Sequence, residues 1–170
     1  MQAEENIYIL DDWITITLLI LLASIFFLKG LNSLRLQAYA FAFFNRGLLS
    51  IESEKRLNFF KPFQLIIFLF TTVTFSLFCF KLYDFKTTEK QGVNQFLILS
   101  AIVLAYFLIK KLIEFLILEV FKINKELKQL SRSKTIYLNS IAIFLYVCIV
   151  LVQYTKLNFS FLLVITCLFF

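Results

Sequence analysis

Residues Phe96–Leu130 read FLILSAIVLAYFLIKKLIEFLILEVFKINKELKQL, and this stretch decides the fold. Its first part, Phe96–Ile109, is apolar and uncharged, and it continues into a charged part without a glycine or a proline. We therefore predict one continuous helix. At 1.5 Å per residue its 35 residues would extend about 52 Å, well beyond the roughly 30 Å hydrocarbon core of a bilayer. Part of this helix is expected to leave the membrane.

The charged part of this helix carries an aliphatic seam. Aliphatic residues recur there at alternating spacings of three and four, as in a heptad repeat, while lysines and glutamates occupy the other face. The seam comprises Ile113, Leu116, Val120, Ile123, Leu127 and Leu130. Outside the bilayer these side chains need cover, because burying each one fully contributes about 1.5–3 kcal/mol. We predict that Leu31, Leu34, Phe41 and Phe44 cover Ile113–Ile123. Leu127 and Leu130, with Ile123 at the boundary, are left to dock a partner protein or a second copy of the chain.

The composition is typical of an integral membrane protein. Hydrophobic residues make up 61% of the chain and charged residues 16%, against about 45–50% and 25% in soluble domains. A soluble all-α domain is disfavoured because the apolar segments lack polar faces. The predicted fold is all-α and polytopic, a single membrane domain over residues 1–170 with about five transmembrane helices, of which the long third extends into the cytoplasm. The predicted spans are residues 10–29, 62–81, 94–111, 136–153 and 158–170, and the predicted cytoplasmic segments are 30–61 and 112–135.

The distribution of lysine and arginine predicts the orientation. Thirteen of the seventeen basic residues lie in residues 29–61 and 110–135, and the other four lie in the segments expected on the opposite side. Basic residues favour the cytoplasmic side of a membrane. We therefore predict a multi-pass protein of the cell inner membrane with its N-terminus outside, in the periplasm.

Three local features refine the helix assignments. Lys29-Gly30 predicts the end of span one, with the glycine in a left-handed capping conformation. A second helix is expected from Leu31 to Phe44, lying either in the headgroup plane or buried under the long third helix. Pro62 is suited to the first turn of span two, and Ser131–Thr135 is predicted to be the turn before span four.

Polar residues inside the spans have two possible roles. Thr71, Thr72, Thr74 and Ser76 cluster in span two, and their hydroxyls either bond to their own or a neighbouring helix or line a permeation path. Helix packing is the favoured interpretation. Asn139, just inside span four, is likewise expected to bond to a neighbouring helix rather than to a ligand. Four polar residues are candidates for an interface, namely Lys110, Glu114, Glu119 and Asn139.

Chemistry-bearing motifs are missing from the printed sequence. It contains no histidine, no glycine-rich phosphate loop and no CxxC pair among its three cysteines. We predict no catalytic residues, metal or cofactor, and no nucleic-acid partner. The partners expected are the lipid bilayer and a protein, either another subunit or a second copy. The leading hypothesis is an accessory or assembly subunit, the alternative is a small transporter or channel, and a membrane-embedded enzyme is less favoured.

Three segments resemble a known family. They are DDW at Asp11–Trp13, LRLQAYAFAFFNR at Leu34–Arg46, and the long stretch Leu108–Val147, in which Tyr137 and Asn139 form a Tyr-x-Asn entry to a span. The order of these segments resembles the domain of unknown function 4271 family, uncharacterised inner-membrane proteins of Bacteroidota. The resemblance covers most of the chain and implies a bacterial inner-membrane protein, without implying an activity. Members of the family are expected to continue further, so the resemblance also implies a shortened or truncated chain.

Overall fold

A computed structural model describes residues 2–42, 62–86, 92–120 and 125–155. All the regular structure in these residues is helical, which confirms the predicted all-α fold. The helices are α1 (Gln2–Leu31), α2 (Ser33–Ala40), α3 (Pro62–Lys86), α4 (Val93–Val120) and α5 (Lys125–Thr155). Four of them are long and apolar enough to cross a bilayer, over Trp13–Leu31, Pro62–Asp84, Val93–Glu114 and Gln129–Thr155. The chain is thus a polytopic helical membrane protein. The predicted fifth span, 158–170, lies outside the described residues.

Helix α3 is the centre of the bundle, and α1, α4 and α5 all pack against it. At one end the indole of Trp13 lies 5.1 Å from the ring of Phe80 and 5.0 Å from that of Phe96, joining α1, α3 and α4. At the other end Leu28, Tyr39, Phe63 and Ile136 form a second buried cluster. Helices α1 and α4 therefore run in one direction and α3 and α5 in the other. We call the second end the basic end, because exposed Lys29, Lys110 and Lys134 lie there.

The third membrane helix is long but does not continue to Leu130. Phe107 of α4 contacts Phe68 and Phe75 of α3, with ring centroids 6.5 and 5.7 Å apart. Asn139 of α5 is hydrogen-bonded to Thr71, midway between those two phenylalanines. One straight helix would separate Phe107 from Asn139 by about 48 Å, so α4 and α5 are two helices that run in opposite directions. The prediction of one helix over Phe96–Leu130 is wrong.

The predicted turn at Ser131–Thr135 is helical instead. Helix α5 begins at Lys125 and runs through this segment without interruption. The segment contains no glycine or proline, and the Thr135 hydroxyl donates to the Ser131 carbonyl at 3.1 Å, as threonines commonly do within a helix. Serines and a threonine suggested a turn here, but these residues are compatible with a helix once their hydroxyls bond to the preceding turn.

The junction between α1 and α2 is built by an asparagine. Gly30 is helical and not left-handed, so the predicted glycine cap is wrong. Asn32 breaks the helix in an extended conformation, and its Oδ1 accepts from the backbone N–H of Arg35 at 3.0 Å. A side-chain acceptor of this kind satisfies one of the unpaired N–H groups at a helix start. The chain therefore turns within a single residue, and α2 folds back over the basic end.

Helix α2 covers α5 and α1, not the long helix α4. Its buried side chains are Ala38 and Tyr39, and the Tyr39 ring lies 5.7 Å from that of Phe63. Leu31, Leu34 and Phe41, predicted to cover the seam, are exposed, Leu34 by 76%. That prediction is wrong because α2 buries its largest ring, Tyr39, and so turns the opposite face outward. Phe44 lies outside the described residues.

Candidate functional site

Helix α4 is the least covered span of the bundle. Only 6% of its most apolar stretch is buried, against 44% in each of α3 and α5. The side chains that it turns toward α3 include Phe107 and Lys111. On the side away from α3 and near the basic end, four aliphatic residues are each exposed by 46–60%. We call this group the seam face, and it comprises Leu112, Ile113, Leu116 and Ile117.

The seam face continues past the apolar part of α4. The uncharged apolar run of α4 ends at Ile109 and is followed by Lys110, Lys111 and Glu114, whereas the helix continues to Val120. Its 28 residues extend about 42 Å, roughly 12 Å more than the hydrocarbon core. Leu116 and Ile117 follow these charged residues, and each is nearly half exposed.

The predicted docking residues fall on two helices. Leu130 lies near the start of α5 and is 52% exposed, so it does not continue the seam of α4. Ile123 lies outside the described residues, as does the side chain of Leu127. The structure therefore divides the seam predicted on one helix between the end of α4 and the start of α5.

The predicted polar residues at the end of α4 take different positions. Lys110 is exposed, Glu114 is half-buried, and the side chain of Glu119 lies outside the described residues. The residue that turns inward is Lys111, whose Nζ lies 4.2 Å from the centre of the Phe68 ring in a cation–π contact. Glu114 interacts electrostatically with Lys111 one turn along the helix.

Sequence reasoning missed that the Lys111 side chain turns toward α3. The signal available was its spacing of four residues from Phe107, which puts both side chains on one face of the helix. Because Phe107 packs against α3, Lys111 is directed there too. Sequence reasoning also missed Gln64, a buried residue at the start of α3. It is 9% exposed, and its Oε1 accepts no hydrogen bond from the described residues.

The hydroxyl cluster in α3 bonds to its own helix and to a neighbouring helix, as predicted. The Thr72, Thr74 and Ser76 hydroxyls donate to the carbonyls four residues earlier, at 2.8–2.9 Å. The Thr71 hydroxyl instead donates to Oδ1 of Asn139, at 2.9 Å, across to α5. Asn139 is only 4% exposed, so this bond lies inside the bundle. The predicted hydrogen bonds of the cluster within its helix, and of Asn139 to a neighbouring helix, are confirmed.

Residues 14–170 match the family described as Domain of unknown function (DUF4271). The chain belongs to this family. The match covers nearly the whole chain and confirms the resemblance seen in the sequence. No curated protein and no solved structure matches the chain.

In this DUF4271 protein the seam face is the candidate site. Among the described residues no group of three or more His, Cys, Asp or Glu could hold a metal ion. The seam face offers exposed aliphatic surface next to the exposed cation Lys110. Such a surface can bind another apolar surface, with electrostatic attraction to an acidic neighbour. It carries no group arranged for bond-making chemistry.

Proposed function

We propose that this DUF4271 protein is an accessory or assembly subunit of the bacterial inner membrane that docks a partner protein through its seam face. The observation that supports the proposal most is the exposure of aliphatic side chains on a helix that is longer than the bilayer is thick. Leu116 and Ile117 lie beyond the charged residues Lys110, Lys111 and Glu114 of α4, and each is nearly half exposed.

A docked partner would bury these exposed side chains. Covering a whole aliphatic side chain contributes about 1.5–3 kcal/mol, so a half-exposed one retains roughly half of that for a partner. Within the described residues nothing packs over the seam face, since α2 covers α5 and α1 instead. Leu130, at the same end of the bundle, adds a further exposed aliphatic side chain.

The charge distribution supports docking on the cytoplasmic side of the membrane. Lys29, Lys110 and Lys134 lie at the basic end, and the sequence segments 29–61 and 110–135 that contain them hold thirteen of the seventeen basic residues. Such residues favour the cytoplasmic side. The proposed partner therefore reaches the seam face from the cytoplasm. We expect it to present an apolar surface rimmed by acidic residues, which would complement Lys110 and Lys134.

Purification of the full-length protein in mild detergent tests this proposal. We expect a stoichiometric protein partner to co-purify. Leu116→Asp combined with Ile117→Asp should abolish co-purification while leaving insertion and monodispersity unchanged, because both side chains face away from the bundle.

Leu34→Asp is the matched control. Leu34 is an even more exposed leucine at the same end of the molecule, but it lies on α2. This variant should keep the partner. A protein that purifies alone, or a partner that persists with the α4 double variant, would overturn the proposal.

A further inference from the structure

An apolar groove runs between α1 and α5 on the outer surface of the bundle. Its volume is about 260 Å³, and it is lined by leucine, valine and tyrosine side chains. Those used below are Leu18, Leu19 and Leu22 of α1 and Val147, Leu151 and Tyr154 of α5. Most of them are half exposed, so among the described residues the groove has no cover.

A hydrogen bond shows which residues of α1 and α5 are level with each other along the groove. The Tyr146 hydroxyl donates to the Leu18 carbonyl at 3.2 Å, and Tyr146 also lines the groove. Tyr146 and Leu18 are therefore level with each other. Along α5 the groove reaches from Tyr146 to Tyr154, which is a rise of about 12 Å.

The chain leaves α5 at one end of this groove. Helix α5 ends at Thr155, the residue after Tyr154. The residues that follow, 156–170, read KLNFSFLLVITCLFF and contain a single charge, Lys156. As a helix, residues 158–170 would extend about 20 Å, enough to cover the groove from end to end.

The other flank of α5 is already occupied. Helix α3 packs along it, and α2 crosses it at the basic end. An apolar segment that returns beside α5 after a short turn therefore meets an open flank on the side that faces α1.

We propose that residues 158–170 run antiparallel to α5 and fill the groove between α1 and α5. The groove is then a seat, within the same chain, for the predicted fifth span. This seat is separate from the seam face, which lies on α4, so it leaves the proposed docking surface open.

The proposal predicts which residues lie at the same depth. If residue 158 is level with Thr155, then Leu163 is level with Val150–Leu151, and Cys167 is level with Tyr146–Val147. Two cysteines form a disulfide only when their Cα atoms are about 4.4–6.8 Å apart. Cross-linking therefore distinguishes this seat from other positions.

The experiment uses the full-length protein in membranes, with Cys79 and Cys148 replaced by alanine. One test pair joins native Cys167 to Val147→Cys. The other joins Leu163→Cys to Leu151→Cys, with Cys167 also replaced by alanine. The two pairs lie about one helical turn apart, so that one of them can still form a disulfide if the assumed register between residues 158–170 and α5 is wrong by a few residues. After mild oxidation, digestion and mass spectrometry should detect a disulfide within one chain in at least one pair.

The matched controls pair Cys167 with exposed apolar positions elsewhere, namely Leu69→Cys on α3 and Ile102→Cys on α4, which are 44% and 63% exposed. These should cross-link several times more slowly. Three results would overturn the proposal. The first is a disulfide that joins two chains instead of one, and the second is equal cross-linking at the control positions. The third is that neither groove pair forms a disulfide although a lipid-soluble maleimide still modifies the cysteine at position 147.

Discussion

Thr71 and Asn139 show how single polar residues are used inside this bundle. Both are buried, and their hydrogen bond joins the central helix α3 to α5. The neighbouring Thr74 is equally buried, but its hydroxyl bonds to the Phe70 carbonyl of its own helix. Thr71 and Thr74 lie only three positions apart on one helix. The Thr71 bond joins two helices, whereas the Thr74 bond only satisfies its own hydroxyl.

We expect Thr71→Val to destabilise the protein by about 0.6–1.7 kcal/mol, from the average to the largest value for hydrogen bonds between membrane helices. The substitution keeps the shape of the side chain but leaves Oδ1 of Asn139 without its donor. Thr74→Val, the matched control, should change the free energy of unfolding by less than about 0.5 kcal/mol, since only a bond within the helix is lost. Reversible unfolding in mixed micelles measures both. Equal losses would show that the bond to Asn139 has no separate importance.

At the scale of whole elements, α4 and α5 differ most from the sequence-based prediction. The heptad spacing of the seam suggested one helix through Leu130, yet Leu130 belongs to α5, which runs opposite to α4. Spacing alone cannot reveal this, because Leu127 and Leu130 keep a helical period on the new helix as well. The opposite directions of α4 and α5 are visible only in their contacts with α3, where Phe107 packs on Phe75 and Asn139 bonds to Thr71 about one turn away.

A proline substitution tests the continuity of α5. Ser133→Pro should destabilise the protein by about 3 kcal/mol or more, because the ring removes a backbone donor and clashes with the carbonyl of Gln129. Ser133→Ala should be nearly neutral, since alanine is the best helix former. The thermal midpoint in detergent compares the two variants. If the proline variant is as stable as the alanine variant, residues 131–135 form a turn rather than a helix.

At the scale of the whole molecule, α3 is the common neighbour of the other three membrane helices. The aromatic cluster around Trp13 and the cluster around Tyr39 and Phe63 hold its two ends. Covered on several sides, α3 can bury hydroxyls, whereas α4 at the edge keeps exposed apolar surface for lipid and for the proposed partner.

Labelling in intact cells tests the proposed orientation. Single cysteines at positions 5 and 88 should react with a membrane-impermeant maleimide from outside, and a cysteine at position 126 should react only after permeabilisation. The expectation follows from the thirteen basic residues on one side and four on the other. Variants lacking all cysteines provide the background. Modification of position 126 in intact cells would reverse the orientation.

The sequence by itself determined that this is a helical membrane protein, because the preference of each side chain for lipid or water depends mainly on that side chain. Uncharged apolar runs require a bilayer, and four of them are helices that can cross one. It also indicated that Asn139 and the α3 hydroxyls would serve helix packing, since buried polar groups in lipid need partners.

Only the tertiary structure decided which faces those helices turn to one another. Leu34 and Tyr39 lie on one short helix, and both are compatible with burial, yet only Tyr39 is buried because its ring packs against Phe63. Lys110 and Lys111 are adjacent and chemically identical, yet only Lys111 lies against Phe68. Which of these side chains is buried depends on how well segments distant in the sequence fit together in shape. No local sequence pattern predicts that fit.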